Sequence, residues 1–212
     1  LSSSSAASDV YKRQPPPEKT NRGWYRKNLW YHSDQSFTRN NLECIQSWIT
    51  GMDVEKNDAT LAFYEKSHKY HKKLAEKFNI TEKSDWYKIN KEQEAFLIDH
   101  GCREKRIKCP KGSLVLWDSR TIHCGVEASK GRKNPKFRAV VYLCYQPKSL
   151  STKKQIEKKQ KALHNLRTTS HWPAKVKLFA KNPRTYGKEL PMINKIKNPI
   201  LTGLGRSLAG FS

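Results

Sequence analysis

Short apolar runs separated by turn residues occupy the first two thirds of the chain. The runs at residues 42–52 and 59–65 are rich in β-branched and aromatic side chains, and each follows an Asn-Asn or Asn-Asp turn signal. Residues 114–118 and 138–147 form two further runs, and Pro147 ends the last of them. These patterns predict strands, and the aromatic-rich residues 24–37 predict another strand that enters a loop. Strands of this kind, joined by long loops, favour a β-sandwich or jelly roll over alternating βαβ units.

Two segments between these strands have helical character. Residues 67–78 (SHKYHKKLAEKF) predict a surface helix with Ser67 as its N-cap, and residues 90–101 predict a second helix with Asn90 as cap and Gly101 as stop. Residues 151–167 (STKKQIEKKQKALHNLR) predict a third, strongly basic helix. The predicted fold class is therefore mainly β with peripheral helices.

The chain divides into four predicted regions. Residues 4–14 (SSAASDVYKRQ) resemble the in-frame translation of a sequencing-library adapter, so residues 1–14 are expected to be a disordered artefact. Three prolines open residues 15–23, which are expected to be a non-helical linker. Residues 24–148 form the predicted core, and residues 149–212 a basic helix and irregular tail. On this interpretation the chain is a fragment without its true N-terminus, and its sheet is N-terminally truncated.

Charge and cysteine content add two expectations. The formal net charge is +23, and residues 148–212 hold fifteen Lys or Arg against two acidic residues. Such a basic surface attracts nucleic acid and other polyanions, or it is simply a solvated charged face. Five cysteines without CxxC spacing are interpreted as reduced core thiols, which favours a reducing, cytoplasm-like compartment. No apolar run approaches the ~20 residues of a membrane span.

The candidate chemistry begins with His32 and Asp34. In an extended segment alternate side chains point to one face, so both could reach one metal ion. Alone the pair is a weak signal, because seven histidines and nineteen acidic residues in 212 positions give roughly 0.6 such pairs by chance. The signal gains specificity from His123, which follows a strand, and from Arg138, which opens another strand fifteen residues later. Two histidines and one carboxylate suit Fe(II) with open positions, and an arginine suits a co-substrate carboxylate.

The order of these motifs resembles a known family. HxD, the Gln-Ser-Trp that ends at Trp48, "DATLAFYEKSHK", "WDSRTIHCG" and a downstream arginine are similar to the phytanoyl-CoA dioxygenase family of Fe(II)- and 2-oxoglutarate-dependent oxygenases. The resemblance implies a double-stranded β-helix, a cupin-like jelly-roll variant. It also implies that His32, Asp34 and His123 are the catalytic iron ligands, that Arg138 binds the C5 carboxylate of 2-oxoglutarate, and that Trp48 lines the co-substrate pocket.

The chain departs from the family at two places. Glu65 and Lys66 stand where the family usually has Pro-Gly before Ser-His, and the His-to-Arg spacing of fifteen is longer than the usual one of about eleven. The resemblance therefore does not predict the conformation of the loop after the third strand or of the residues that lead to Arg138.

Several residues keep a structural alternative. The His32–Asp34 pair could be a surface pair, Arg138 could form an ordinary salt bridge with Asp118 or Glu127, and Trp48 could be core. Thr60 is a candidate co-substrate contact, together with Gln46 and Arg120 at pocket positions, although a structural role is favoured for these three residues.

Two functions follow from the sequence. The first is a dioxygenase that uses Fe(II) and 2-oxoglutarate to hydroxylate a small-molecule or acyl-type substrate, with succinate and carbon dioxide as co-products. The alternative is a catalytically inactive jelly-roll module that binds nucleic acid or another polyanion through its basic surface.

Overall fold

The computed structural model describes residues 3–167, 169–179 and 199–211, the first twelve by their backbone alone. These residues form two compact units. One unit is Tyr11–Val141, which contains every candidate site residue named above. The other comprises the chain before Tyr11 and the chain from Tyr142 onward. Residues 180–198 of the predicted basic tail lie outside the described residues, so the predicted domain boundaries stay a prediction.

The chain is dominated by antiparallel sheets, as predicted for a jelly roll. The strands in chain order are β1 Ser3–Gln14, β2 His32–Ser33, β3 Ile45–Thr50, β4 Thr60–Tyr64, β5 Tyr87–Lys88, β6 Glu104–Arg106, β7 Leu114–Asp118, β8 His123–Val126 and β9 Arg138–Pro147. One sheet has the order β1-β9-β3-β7 and the other the order β5-β2-β8-β4-β6. The predicted fold class is confirmed.

Strand pairing within Tyr11–Val141 places the candidate site. β2 lies between β5 and β8, and His32 is directly opposite His123 in the β2–β8 register. In the other sheet β3 pairs with β7, so that Gln46 is opposite Trp117 and Trp48 is opposite Val115. Directly opposite residues share a face of an antiparallel sheet, so Gln46, Trp48 and Trp117 lie on one face of the β3–β7 pair.

Helices lie between and after the strands. They are α1 Pro17–Thr20, α2 His71–Lys77, α3 Lys91–Asp99, α4 Lys153–His164 and α5 Gly203–Leu208, with 3-10 turns at Ser67–Tyr70 and Lys148–Leu150. The predicted start and end of α3 are confirmed, because Asn90 forms a capping box with Gln93 and Gly101 has a positive φ of 79°. No helix in the described ranges is long and apolar enough to span a membrane.

Three local expectations differ from the structure. Ser67 is not an N-cap: the 3-10 turn begins after Lys66, and the Ser67 hydroxyl instead accepts a hydrogen bond from the Ile122 N–H. Pro17 begins the short helix α1 within the predicted linker, because the first helical position needs no N–H donor and prefers the φ that proline fixes. The segment expected to be disordered includes β1, because an extended backbone next to β9 can hydrogen-bond whatever its side chains are.

A compact apolar core holds the β2-containing sheet against α2 and α3. Leu74 and Leu97 contribute one side chain from each helix and are almost fully buried. The other buried members are Tyr31, Phe37, Ala62, Tyr64, Ile80, Ile89, Phe96, Cys102, Ile122, Cys124 and Val126. None of the five cysteines forms a disulfide within the described residues. This core fixes the strands that carry the candidate site.

Candidate metal site

Two adjacent strands bring His32, Asp34 and His123 together. His32 begins β2, Asp34 follows that strand by one residue, and His123 begins β8. Because β2 and β8 are antiparallel neighbours, the two histidines face each other, with their ring centroids 4.5 Å apart. One ligand atom from each of the three residues lies within 4.8 Å of the other two. The structure therefore brings together the three residues that the sequence nominated as metal ligands.

The hydrogen bonds of the two imidazoles orient their free nitrogens toward the carboxylate. His32 Nδ1 lies 3.2 Å from the Trp30 carbonyl oxygen, and His123 Nδ1 lies 2.8 Å from the Thr121 carbonyl oxygen. A carbonyl oxygen only accepts, so each Nδ1 carries a proton, and in the neutral ring the Nε2 atom that faces Asp34 then holds the lone pair that can bind a metal ion. Such a contact behind the ring is typical of metal-ligating histidines.

The Asp34 carboxylate sits between the two lone pairs. Its Oδ1 is 3.4 Å from His32 Nε2, and its Oδ2 is 3.3 Å from His123 Nε2. All three residues are buried, with exposures of 4%, 7% and 5% in chain order. Burial also lowers the pKa of His32, so protonating this ring is disfavoured. Two imidazole nitrogens and a carboxylate that converge in a buried site can bind one cation together, and a metal ion suits all three ligand atoms.

The spacing of these donors suits a first-row metal. Metal–nitrogen and metal–oxygen bonds of about 2.1 Å place neighbouring ligands of an octahedral ion roughly 3 Å apart. The two His–Asp distances of 3.3 and 3.4 Å are close to that value. Two imidazoles and one carboxylate on one side of the ion leave further positions open, which is the arrangement of non-haem Fe(II) oxygenases. The residues present therefore fit iron.

Gln46 supports the carboxylate from the other sheet. Its Nε2 donates to Asp34 Oδ2 at 2.7 Å, and both residues are buried. The sequence placed Gln46 near the pocket but favoured a structural role. The structure assigns it a direct contact with a candidate metal ligand, a position that conventionally orients the ligand and tunes its basicity.

Gln35 and His71 hold the loop after Asp34, and the sequence analysis did not nominate either for this role. The Gln35 side chain donates to the carbonyls of Arg39 and Asn41 and accepts from the Ser119 hydroxyl. His71 lies 3.2 Å from the Gln35 carbonyl, and its pKa is lowered to about 4 because it is buried. The signal available in the sequence was only an uncharged polar residue next to the HxD motif, which is not specific.

The turn that contains Lys66 and Ser67 lies beside Ile122, the residue immediately before His123. Lys66 adopts a left-handed conformation with φ of 65°, at the position where the resembled family has glycine. The next residue, Ser67, accepts from the Ile122 N–H immediately before His123. The chain thus keeps the backbone shape that glycine favours while carrying a residue for which that shape is strained.

The predicted co-substrate residues have different surroundings. Trp48 is almost fully buried on β3. Arg138 begins β9 and lines a small cavity together with Thr50, and the neighbouring Ala139 carbonyl accepts from the Gly51 N–H. The Thr60 hydroxyl donates to the Ile107 carbonyl at 2.9 Å. The contacts of these three residues with a co-substrate stay predictions.

The fold and the site together define a mainly antiparallel β protein with a buried two-histidine, one-carboxylate candidate metal site. A family model described as Phytanoyl-CoA dioxygenase (PhyH) matches residues 17–139. Because the match covers more than half of the chain, the chain belongs to this family. The family is named for a dioxygenase, and the match does not point to a nucleic-acid partner.

One curated protein is similar to this chain over part of its length. "Ava biosynthesis cluster protein O" of Aspergillus versicolor is 26% identical over an alignment that covers 68% of this chain and 48% of the relative. The chain therefore spans about half the length of this curated relative.

Two solved proteins are also similar. AviO1 from Streptomyces viridochromogenes Tue57 shares 13% identity over 65% of this chain and 48% of its own, with a TM-score of 0.38. SnoN, a non-heme alpha ketoglutarate dependent epimerase from nogalamycin biosynthesis, shares 12% identity over 63% of this chain and 44% of its own, with a TM-score of 0.36. SnoN has also been solved in complex with Fe3+, alpha ketoglutarate and nogalamycin RO. These TM-scores are too low to carry a conclusion about this chain.

Proposed function

We propose that the protein is an Fe(II)- and 2-oxoglutarate-dependent dioxygenase that hydroxylates a small-molecule substrate. The observation that carries this proposal is the buried Asp34 carboxylate, which faces the lone pairs of two histidines at 3.3 and 3.4 Å. Membership of the Phytanoyl-CoA dioxygenase (PhyH) family supports the same assignment. His32, Asp34 and His123 are the proposed iron ligands. Iron with bound 2-oxoglutarate would supply oxidative decarboxylation to succinate and carbon dioxide, coupled to oxidation of a substrate C–H bond.

The face of β3 that carries Gln46 provides a path for the co-substrate. Side chains at alternate positions share a face, so Gln46, Trp48 and Thr50 follow one another along it. Gln46 contacts Asp34 at one end, and Thr50 shares a cavity lining with Arg138 at the other. Four residues of strand span about 13 Å, and an arginine side chain can reach back over part of that distance.

Unpartnered polar atoms on the same face fit a bound polar molecule. Gln46 Oε1 and the indole nitrogens of Trp48 and Trp117 are buried and have no hydrogen-bond partner among the described residues. Buried polar atoms normally have partners, so three on one sheet face favour a ligand there. Gln46, Trp48 and Trp117 would then contact bound 2-oxoglutarate, and the Arg138 guanidinium would hold its far carboxylate, a bidentate role that lysine could not reproduce.

Asp34 favours hydroxylation over halogenation. A carboxylate ligand at this position occupies the site that related halogenases use for chloride. An epimerase would use the same ligands, so the product distinguishes the two reactions. Hydroxylation adds one oxygen atom to the substrate, while epimerisation leaves its mass unchanged.

The test is formation of succinate from 2-oxoglutarate under air, with and without Fe(II). We expect iron-dependent succinate formation by the native chain and none by Asp34→Ala. Asp99→Ala is the matched control, because Asp99 is an exposed aspartate at the C-terminal end of α3, outside the metal site and the Arg138 cavity. Equal succinate formation by Asp34→Ala and the native chain would show that the three residues do not form the working metal site.

A second candidate function, binding of a phosphate-bearing anion, has one observation in its favour. A cavity of about 440 Å³ lies beside α4, within the size range of small-molecule sites. Its lining includes Lys154, Lys158, Lys161 and Arg167 against one acidic residue, Glu157. The Arg167 Nε is buried and has no partner among the described residues.

Calorimetric titration with inorganic pyrophosphate tests this candidate. We expect saturable binding that is weaker at about 200 mM salt than at about 50 mM salt. Such salt dependence is typical of phosphate contacts made by lysine and arginine. Lys158→Gln should weaken binding, while Lys175→Gln, an exposed lysine outside the cavity lining, should not. Absence of saturable binding by the native chain would remove the candidate.

A further inference from the structure

Two tryptophans contact the candidate iron ligand His32. The Trp30 ring stacks on the imidazole at a centroid distance of 4.8 Å and an interplanar angle of 8°. The Trp86 ring lies 5.6 Å from the same imidazole at 32°. His32 is therefore bordered by two large aromatic side chains that the proposed iron chemistry does not require.

Both tryptophans remain substantially exposed. Trp30 has 44% and Trp86 has 48% of its surface accessible, although His32, Asp34 and His123 are buried. With ~250 Å² for each tryptophan, the uncovered area is roughly 230 Å² of aromatic surface. Single exposed apolar residues are ordinary. Two that touch one buried metal ligand form a patch, and such patches mark binding surfaces.

The strand register explains why both rings lie at the site. Trp30 precedes His32 by two residues, so both point to the same face of their extended segment. Lys88 is directly opposite His32 on β5, and Trp86 precedes Lys88 by two residues. Gly125 on β8 lies beside Trp30, since a side-chain carbon there would be in ordinary van der Waals contact with the indole ring at 3.7 Å. The patch is thus built by the β5-β2-β8 order of the sheet.

We propose that the substrate presents a flat, apolar ring to Trp30 and Trp86. This inference rests on the proposed oxygenase function and names the substrate class for that site. Indole faces and edges attract other rings in stacked and edge-to-face arrangements, beyond the gain from burying apolar area. A flexible acyl chain gains no stacking and loses more conformational freedom on binding. The ring binds against the exposed indole surfaces that border His32, beside the candidate metal site.

The first test compares two probes of equal charge by calorimetric titration under anaerobic conditions. 2-Naphthoate carries a flat fused ring, and octanoate carries a flexible chain. Lys88 is exposed beside the patch and is available to either carboxylate. We expect the native chain to bind 2-naphthoate at least tenfold more tightly than octanoate. Octanoate binding as tight as that of 2-naphthoate would overturn the proposal.

Variants locate the binding. Trp30→Ala and Trp86→Ala should each weaken 2-naphthoate binding fivefold or more and change octanoate binding less than twofold. Trp30→Phe and Trp86→Phe keep an aromatic ring and should retain most of the affinity. Trp24→Ala is the matched control, because Trp24 lies elsewhere in the same unit and its indole donates to Asn21. Undiminished 2-naphthoate binding by the alanine variants would overturn the proposal.

A second measurement uses only the native protein. In ¹⁵N-labelled native protein, 2-naphthoate should shift the indole N–H signals of Trp30 and Trp86 and leave that of Trp24 in place. Unmoved Trp30 and Trp86 signals at saturating probe would overturn the proposal. Iron-dependent succinate formation without any ring compound tests the oxygenase function separately. Its absence together with retained 2-naphthoate binding would refute the function and not the ring site.

Discussion

Protonation of His71 should destabilise the fold at mildly acidic pH. His71 is buried, stacks on Phe37 at 4.2 Å and contacts the Gln35 carbonyl. Burial lowers its pKa to about 4 from an ordinary value of 6.5. The unfolded chain therefore binds a proton at higher pH than the folded chain does. The contribution of His71 is fully present above pH 6.5 and is lost as the pH falls from about 6.5 to about 4.

The size of this effect follows from the two pKa values. A difference between 6.5 and about 4 corresponds to ~3.4 kcal/mol at 1.36 kcal/mol per pKa unit. About 2 kcal/mol of this should be lost between pH 7 and pH 5. His71→Gln removes the titrating ring and keeps an amide that can donate to Gln35.

The assay is urea unfolding at pH 7 and at pH 5, with a chelator present. It compares how the free energy of unfolding changes with pH in the native chain and in His71→Gln. The native free energy of unfolding should fall by about 2 kcal/mol more than that of the variant between these pH values. The packing change in the variant affects both pH values and cancels in this comparison. Parallel pH dependence of the two proteins would refute the assignment of a depressed pKa to His71.

Three further changes test the surroundings of the site and one helix. Gln46→Leu removes the donor to Asp34 and should weaken Fe(II) affinity about 10–100-fold in a metal titration, and unchanged affinity would contradict its supporting role. Lys66→Gly relieves a positive φ and should raise the free energy of unfolding by about 0.5–1 kcal/mol, whereas a decrease would show that Lys66 contributes more than backbone strain. Asn90→Ala removes the N-cap of α3 and should lower the free energy of unfolding by about 1 kcal/mol, and an unaltered unfolding midpoint would contradict this.

The sequence nominated the three residues that the structure brings together, because part of their signal is local. His32 and Asp34 are two residues apart in an extended segment, which places both side chains on one face. His123 could be added because it follows a predicted strand, in the motif order that the resembled family has. The Asn90 cap of α3 was also predictable, since a capping box depends on residues only three positions apart.

Features that depend on contacts distant in sequence were not predictable in this way. Gln46 meets Asp34 only because β3 of one sheet faces β2 of the other. The His71 ring reaches the Gln35 carbonyl across a separation of 36 residues. Ser67 looked like a helix cap by its residue type, but the left-handed Lys66 redirects the chain and turns its hydroxyl toward Ile122.

Anaerobic titration with Fe(II) tests the central claim most directly. The native chain should bind one Fe(II) per chain, and Asp34→Ala should lose at least about two orders of magnitude in affinity, because the two histidines then have no carboxylate between them. Asp99→Ala, at the exposed end of α3, should bind iron like the native chain. Iron binding that is absent from the native chain, or equally tight in Asp34→Ala, would contradict a metal site built from His32, Asp34 and His123.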